Sequence, residues 1–293
     1  MDLSVLNEIA DGAVIDPSAR IGRFCTVGPG VQVGPRTVLG TRVSLAGRTI
    51  IGADNVIGDG CVLGAVPQDL KYHGRECYLI VGDRNRLGPN VTAHIGTELG
   101  GWLTRIGHDN VIESGTHVAH DCFVQDRAHL GFGVLLAGHI RVEDGAVLEA
   151  MLGVTHFTTI GCYSRVGART PVVRDVPPFT VFSSNGYYSD HAAVRALHEE
   201  GLAKAALSAA EAGAVRAVFA ELYGDEQPLA PKVAKLLSGP LPPAARELCS
   251  FLQRSLQARF GRFREALRGE MPPEARAYLP PEVLGRIESE RKP

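Results

Sequence analysis

The chain repeats an aliphatic residue every six positions, and this period constrains the fold more than any other feature of the sequence. The series runs through 15–63, resumes at 81–93 and continues unbroken through 106–172. An α-helix repeats about every 3.6 residues and a β-strand about every two, so neither explains a period of six. We therefore predict that each hexad forms a short strand and a corner, and that three hexads close one triangular coil. Twenty-four hexads predict eight coils, with the aliphatic residues pointing to the axis.

Stacking of the coils converts sequence spacing into geometry. Parallel strands of neighbouring coils lie about 4.8 Å apart, so residues 18 positions apart in an unbroken run should lie almost directly above one another. The predicted fold class is mainly β, a parallel β-helix that occupies residues 1–185.

Two stretches, 65–80 and 94–105, interrupt the repeat. Long excursions from a regular solenoid are loops, and loops on a rigid scaffold often carry binding or catalytic residues. The pattern leaves open whether these loops are functional or are tolerated surface insertions.

A second region follows the repeat. Pro177 and Pro178 end the regular structure. Stretches rich in Ala, Leu and Glu at 190–223, and a helical spacing of apolar residues at 243–268, then predict a C-terminal α-helical domain over 186–293. These helices should close the end of the prism, where the last coil would otherwise expose an unpaired strand edge.

The composition excludes several classes of protein. Thirty basic and 32 acidic residues give a formal charge of −2, so we expect no nucleic-acid partner. No apolar stretch is long enough for a membrane span and no signal-peptide pattern is present, so we expect a cytoplasmic protein. The six cysteines are scattered without CxxC spacing, which predicts reduced thiols.

Several histidines share one phase of the repeat. His120, Gly138 and His156 each lie two positions past an aliphatic residue and are 18 apart, so they should stack on one edge of the prism over about 10 Å. His117 precedes the same corner as His120, and His139 lies beside Gly138. The repeat thus predicts a ridge of imidazoles.

The chemistry of this ridge leaves three interpretations open. Asp121 follows His120 directly, and a carboxylate next to an imidazole fixes its tautomer and stabilises its charged form. Gly138, one coil away, has no side chain to block its backbone N–H from a developing oxyanion. General base catalysis is favoured, while ordinary surface histidines and a zinc site, as in the trimeric hexapeptide hydratases, remain alternatives.

Six stretches carry a family resemblance: GAVPQDLKYHG (64–74), VGDRNRLGPNVTAHIGT (81–97), IGHDNVIESGTHVAHDC (106–122), LLAGHIRVEDGAVL (135–148), VTHFTTIG (154–161) and RDVPPF (174–179). In order and spacing they closely resemble the UDP-N-acetylglucosamine acyltransferases that begin lipid A synthesis. That family has a left-handed parallel β-helix followed by a helical domain. The resemblance therefore implies the left hand of the coil, which the period alone does not determine.

The resemblance also implies a reaction. His120 would act as the general base that takes the proton from the sugar 3-hydroxyl as this attacks an acyl carrier protein thioester. Asp121 would orient that base, and Gly138 would donate to the oxyanion. The substrate-binding positions that it implies are Gln68, Asp69, Lys71, His94, His117, His139, His156 and Ala168, the last at the floor of the acyl pocket.

The implied partners are acyl carrier protein, a UDP-sugar and two further copies of the chain in a homotrimer, with no cofactor and no metal. Two differences from the family bear on the acceptor. His156 stands where the family carries glutamine, and Glu199 and Glu200 stand at basic positions that hold the nucleotide phosphates. Carboxylates there would repel a pyrophosphate. A related enzyme with another nucleotide sugar or amino sugar as acceptor, and a noncatalytic trimeric scaffold, are therefore the alternatives.

Overall fold

Three sheets form the faces of a triangular prism in the computed structural model, which describes residues 6–185, 191–268 and 273–290. Sheet A contains β1 (Glu8–Ile9), β4 (Thr26–Val27), β7 (Ser44–Leu45), β10 (Val62–Ala65), β13 (Thr92–His94), β16 (His117–Val118), β19 (Leu135–Leu136) and β22 (Gly153–Val154). Sheet B contains β2 (Val14–Ile15), β5 (Gln32–Val33), β8 (Arg48–Ile51), β11 (Tyr78–Val81), β14 (Leu103–Ile106), β17 (Phe123–Val124), β20 (Arg141–Val142) and β23 (Thr159–Ile160). Sheet C contains β3 (Arg20–Ile21), β6 (Val38–Leu39), β9 (Val56–Ile57), β12 (Arg86–Leu87), β15 (Val111–Ile112), β18 (His129–Leu130), β21 (Val147–Leu148), β24 (Arg165–Val166), β25 (Thr180–Ser183) and β26 (Ala193–Leu197).

The strands β1 to β25 pair in parallel, and in the unbroken runs the partners are 18 residues apart. Ile112 pairs with Leu130 and Leu130 with Leu148, and all three are fully buried on the axis. The predicted stacking is therefore confirmed. Buried asparagines complete the ladder at one corner, where the Asn55 side chain accepts from the Asn85 N–H at 2.9 Å and the Asn85 side chain accepts from the Asn110 N–H at 2.9 Å.

The prism begins and ends differently from the prediction. Its first strand, β1, ends at Ile9, one hexad before the predicted start at Ile15. Ile9 is 48% exposed, and among the described strands β1 pairs only with β4. Past β24 a ninth, irregular coil passes through isolated bridges at Val172 and Val176 before reaching β25. The two bridges are only four positions apart, too few for a hexad.

The C-terminal region contains α1 (Glu199–Lys204), α2 (Ala209–Tyr223), α3 (Leu229–Leu237), α4 (Pro243–Gln257) and α5 (Pro281–Glu290), with single 3₁₀ turns at Arg259–Gly261, Phe263–Leu267 and Pro273–Ala277. The start of the predicted helical stretch at 190–223 differs, because β26 forms there and pairs antiparallel with β25. The free edge of β25 overrides the helical composition of this segment, so the sheet continues past the boundary predicted at 185.

Two cores hold the C-terminal region on the prism. Leu202, Val215 and Leu248 pack with Phe179 of the last coil, so α1 to α4 close the end of the prism as expected. By contrast, the chain after α4 turns back along the prism, and Leu279 and Ile287 join the hydrophobic core of the β-helix. This return was not predicted.

Within the described ranges, no helix combines the length and the apolar character that crossing a bilayer requires.

Candidate active site

A cleft of about 910 Å³ runs along the outer face of sheet A. Its floor follows the register of four strands, in which Thr92, His117, Leu135 and Gly153 are successive partners. The full lining is Gln68, Thr92, His94, His117, Ala119, His120, Leu135, Leu136, Ala137, Gly138, Gly153, Val154, Thr155, His156, Pro171, Val172 and Val173. The repeat therefore brings most of the predicted site residues into one cleft.

His120 and Asp121 form a hydrogen-bonded pair at the corner after β16. The His120 Nδ1 lies 2.8 Å from Asp121 Oδ2. When Nδ1 carries the proton, it donates to the carboxylate, and Nε2 is then the nitrogen that faces the cleft. Asp121 is 1% exposed and His120 is 8% exposed. The pair thus has the arrangement of a base held by a buried carboxylate.

The loop at 94–105 holds Asp121 in place. The Thr97 backbone N–H donates to Asp121 Oδ1 at 2.9 Å, and the Thr97 hydroxyl donates to Oδ2 at 2.7 Å. The Asp121 backbone N–H in turn donates to the Thr104 hydroxyl at 2.8 Å. At Gly100 a Cβ would lie 2.2 Å from the Asp121 carboxylate, so only glycine lets the loop approach this closely. The interruption of the repeat therefore positions the carboxylate.

Gly138 lies directly against the His120 ring. A Cβ at this position would lie 2.5 Å from His120 Cε1, which a real side chain could not occupy. Among the backbone hydrogen bonds of residues 6–185, 191–268 and 273–290, none uses the Gly138 N–H as a donor. A backbone donor beside an imidazole can stabilise negative charge that develops on a reacting carbonyl oxygen.

The other histidines of the cleft are held neutral. Burial, followed by the charges of His117 and His120, lowers the pKa of His94 to about 4. Burial is also the first cause that lowers the pKa of His117 and of His156. His94 and His117 pack edge to face with ring centroids 4.9 Å apart, and the Thr92 hydroxyl lies 2.7 Å from His117 Nδ1. These rings can donate or accept single hydrogen bonds to a polar ligand.

His139 lies behind the His120–Asp121 pair. Its ring meets His120 edge to face at 5.2 Å and stacks on Phe157 at 4.3 Å. Burial lowers the pKa of His139 to about 4. His120, Asp121 and His139 place potential ligand atoms within 4.8 Å of one another, so a metal could in principle meet three donors here. The hydrogen bonds from Thr97 and His120 already occupy Asp121 Oδ2, however, which favours the proton-transfer arrangement.

The loop at 65–80 brings charged groups to the cleft. Asp69 Oδ2 lies 4.0 Å from His120 Nε2 and 3.6 Å from Lys71 Nζ. Partial burial opposes ionisation of Asp69, but the backbone N–H and the charge of Lys71 outweigh it and hold the pKa of Asp69 below its usual value. Gln68 lines the cleft itself.

Three residues singled out in the sequence lie apart from the cleft. Ala168 follows β24 of sheet C, is exposed, and donates its N–H to Glu149 Oε2 at 2.9 Å. Glu199 and Glu200 begin α1 and form ion pairs with Arg216 at 2.7 Å and with Lys204 at 2.6 Å. In one chain, therefore, Ala168, the predicted floor of the acyl pocket, does not contact the His120–Asp121 pair.

Sequence reasoning missed Thr97, Thr104, Gly100 and Phe157. The signal for the first three was the loss of the repeat at 94–105, which identified the loop but not its contacts. Phe157 follows His156 and was hidden because an aromatic residue at a corner is usually only a packing residue.

Comparison with known proteins identifies the family. The family model "Udp N-acetylglucosamine O-acyltransferase; Domain 2" matches residues 175–260. Acyl-[acyl-carrier-protein]--UDP-N-acetylglucosamine O-acyltransferase from Nautilia profundicola is 34% identical over 194 residues, which cover 66% of this chain and 73% of that protein. The enzyme of the same name from Synechocystis sp. is 35% identical over 196 residues, which cover 67% and 69%.

Solved structures agree over a longer stretch. The structure of LpxA from Acinetobacter baumannii superposes with a TM-score of 0.78 at 28% identity, covering 91% of this chain and 98% of that chain. UDP-N-acetylglucosamine O-acyltransferase from Moraxella catarrhalis RH4 superposes with a TM-score of 0.75 at 32% identity, covering 84% and 94%. The prism is therefore the left-handed parallel β-helix that the resemblance implied. The chain belongs to the UDP-N-acetylglucosamine O-acyltransferase family.

Proposed function

We propose that this chain transfers a 3-hydroxy fatty acyl group from acyl carrier protein to the 3-hydroxyl of UDP-N-acetylglucosamine, the first step of lipid A synthesis. The relatives with this printed name support the reaction class. The observation that carries the proposal is the buried His120–Asp121 pair, which lies against Gly138 in an open cleft.

In the proposed mechanism, His120 Nε2 accepts the proton of the sugar 3-hydroxyl while the hydroxyl oxygen attacks the thioester carbonyl carbon. Asp121 stabilises the imidazolium through the hydrogen bond at Nδ1. The Gly138 N–H donates to the carbonyl oxygen as it becomes an oxyanion. Collapse of the tetrahedral intermediate breaks the carbon–sulfur bond, and His120 returns its proton to the departing thiolate.

Other cleft residues are proposed to bind the two substrates. Gln68, His94 and His117 offer hydrogen bonds to the sugar from one side of the cleft, and His156 does so from the other. Lys71 and Asp69 lie near His120 Nε2 and would orient the reacting hydroxyl. The mechanism uses no cofactor and no metal, because the imidazole supplies the proton transfer and the thioester is already activated.

The assembly and the compartment are part of the proposal. Ala168 does not line the cleft of its own chain, so it would contact an acyl chain only in the cleft of a neighbouring subunit. This supports a homotrimer with clefts between subunits. The free thiols of all six cysteines suit the reducing cytoplasm.

The decisive test is product formation. Purified protein is incubated with acyl carrier protein thioesters and UDP-N-acetylglucosamine, and the product is detected by mass spectrometry. His120→Ala should lower kcat by about 10² to 10⁴, because it removes a positioned general base. Its melting temperature should fall by no more than a few degrees, since Thr97 still donates two hydrogen bonds to the buried Asp121 carboxylate.

His129→Ala is the matched control. His129 is on sheet C, where its ring pairs with Glu113 at 2.7 Å on a different face of the prism. This variant should keep normal turnover. Near-normal turnover of His120→Ala on the true substrate would show that the proposed base is wrong.

A second candidate function has one observation in its favour. Glu199 and Glu200 place carboxylates where the family resemblance predicts cations for the nucleotide phosphates. A different nucleotide sugar or amino sugar would then be the acceptor. A panel of UDP-amino sugars in the same assay distinguishes the two, because the alternative predicts faster acylation of another member than of UDP-N-acetylglucosamine. The noncatalytic scaffold predicts turnover of none.

A further inference from the structure

We propose that a second binding site, specific for an organic phosphate, adjoins the C-terminal end of the cleft. It is a cavity of about 340 Å³ that is lined by Val173, Arg174, Phe260, Gly261 and Arg262. The identity of its ligand rests on the proposed function, because the phosphate would belong to one of the two substrates.

The cavity adjoins the end of the cleft. Val173 lines both of them, and it follows Pro171 and Val172 at the cleft's end. The Arg262 guanidinium donates to the Val173 carbonyl at 3.0 Å, which holds one wall of the cavity against the end of the cleft. A ligand bound in the cleft can therefore reach this cavity by passing over Val173.

Phe260 is held in a strained and exposed position at this site. Its φ of 60° lies in the left-handed region, which is unfavourable for a bulky residue. Its ring is 58% exposed and carries the Arg259 and Arg262 guanidinium groups at 4.6 Å and 5.1 Å from its centroid. An aromatic face flanked by cations suits a phosphate that is joined to a flat or apolar group.

The turn that presents Phe260 is rigidly attached to the last coil. The Asp175 N–H donates to the Gly261 carbonyl at 2.8 Å, and the Phe263 N–H donates to Asp175 Oδ2 at 2.9 Å. Gly261 has a φ of +65° and packs so closely that a Cβ would lie 3.3 Å from Arg174 Cβ. The backbone that carries Phe260 and Arg262 is thus fixed before a ligand binds, which lowers the cost of binding.

The cations at this site are available to an anion. Arg174 and Arg259 are exposed, and among the ion pairs of the described ranges neither has a carboxylate partner. Arg262 is paired with Glu265 at 3.1 Å, but its charge still reaches the cleft. After burial, it is the next cause that lowers the pKa of His156. Arg262 therefore adds positive charge at this end of the cleft, and Glu265 offsets part of it.

The cations near the start of α1 are already paired with carboxylates. Glu199 and Glu200 occupy the first turn of α1, and their ion pairs with Arg216 and Lys204 use the neighbouring cations. A phosphate is therefore better stabilised beside Arg174, which lines the cavity, with Arg259 close by on the Phe260 ring. Two sources fit the same chemistry, namely the pyrophosphate of the nucleotide sugar and the 4′-phosphate of the pantetheine arm on the carrier protein.

The test measures binding directly by titration calorimetry on the full chain. Its variants are Arg174→Ala combined with Arg259→Ala, and Phe260→Gly, since glycine accepts the positive φ. Arg246→Ala is the matched control, an exposed arginine on α4 whose guanidinium contacts the Gly239 carbonyl. The probes are UDP, 4′-phosphopantetheine and dephosphorylated pantetheine. Melting curves check that each variant is folded, and Arg174→Lys should retain most of the binding.

The double variant should bind one phosphate probe about tenfold more weakly or worse, since a charged hydrogen bond is lost. Loss of UDP binding identifies the nucleotide as the source, and loss of 4′-phosphopantetheine binding identifies the donor. Dephosphorylated pantetheine should bind all proteins alike. Equal binding of both phosphate probes to the wild type and the double variant would overturn the site, as would no binding of either to the wild type.

The two proposals fail independently. If the protein forms the acylated sugar but the double variant binds both probes normally, only the phosphate site is wrong. If no thioester is consumed but UDP binding depends on Arg174 and Arg259, only the proposed reaction is wrong.

Discussion

At the scale of single residues, the candidate site depends on one buried carboxylate. Asp121 is 1% exposed, and its side chain is bound by His120 and twice by Thr97. A buried carboxylate is stable only when its oxygens accept hydrogen bonds. Each donor therefore both fixes the position of Asp121 and lowers the free-energy cost of burying it. His120 is therefore oriented indirectly by a threonine from another coil.

Thr97→Val tests this positioning role. The substitution keeps the shape and the backbone N–H but removes the hydroxyl donor that lies 2.7 Å from Asp121 Oδ2. We expect kcat to fall about tenfold, which corresponds to about 1.4 kcal/mol, with little change in KM for either substrate. Thr97→Ser should restore kcat because it restores the donor. Wild-type kcat in Thr97→Val, measured with saturating substrates, would mean that the backbone N–H alone holds the carboxylate.

At the scale of elements, the strands of the prism are too short to be stable alone, and their stability comes from stacking. Most strands contain two residues, and from β4 to β24 each two-residue strand buries its second residue on the axis against the coils above and below. The segment after α4 adds a different kind of support. The Tyr278 ring lies 4.0 Å from the Arg105 guanidinium, and Arg286 donates to Glu76 at 3.0 Å. The segment after α4 therefore contacts Arg105, at the end of the 94–105 loop, and Glu76, in the 65–80 loop.

Ile287→Asp tests whether α5 supports the loop at 65–80. Ile287 is 2% exposed, so a carboxylate there would be buried without a partner and should detach α5. We expect faster amide hydrogen exchange at 72–80 and a lower kcat, while the strands at 111–166 stay protected. The matched control is Gly285→Ala in the same helix, where a Cβ would meet open space and should be neutral or stabilising. Unchanged amide hydrogen exchange at 72–80 would show that α5 does not support the loop.

At the scale of the whole molecule, buried histidines link stability to pH. His94 and His139 each have a pKa lowered to about 4, primarily by burial, whereas the value in an unfolded chain is near 6.5. Between these values the unfolded state binds more protons than the folded state. Their contribution is complete above pH 6.5 and is lost as the pH falls toward 4.

His139→Phe tests this linkage, because it keeps a ring stacked on Phe157 without a titrating group. The melting temperature of the wild type should fall between pH 7 and pH 5, and the fall should be smaller in the variant. Differential scanning calorimetry at both pH values measures the difference. An equal fall in both proteins would mean that His139 is not responsible and that other groups set the acid sensitivity.

Features of the fold and the site that follow from nearby sequence spacing were predictable, and features that distant residues decide were not. The six-residue period determined the prism, the axis-facing residues and the stacking of His120 with Gly138, because each follows from spacing alone. The start at Ile9 was missed because the first coil is uncovered on one side and its signal is weak. The strand β26 was missed because the edge of β25, which is distant in sequence, decides its pairing.

The amino-acid sequence by itself determined the repeat, the interrupting loops and the family, since short-range spacing and motif order carry that information. Only the tertiary structure decided that Thr97 and Thr104 hold Asp121 in place and that the chain after α4 returns along the prism. Those contacts join residues whose separation follows no period. They form because buried polar groups must find donors and apolar faces must be covered, wherever in the chain the partners lie.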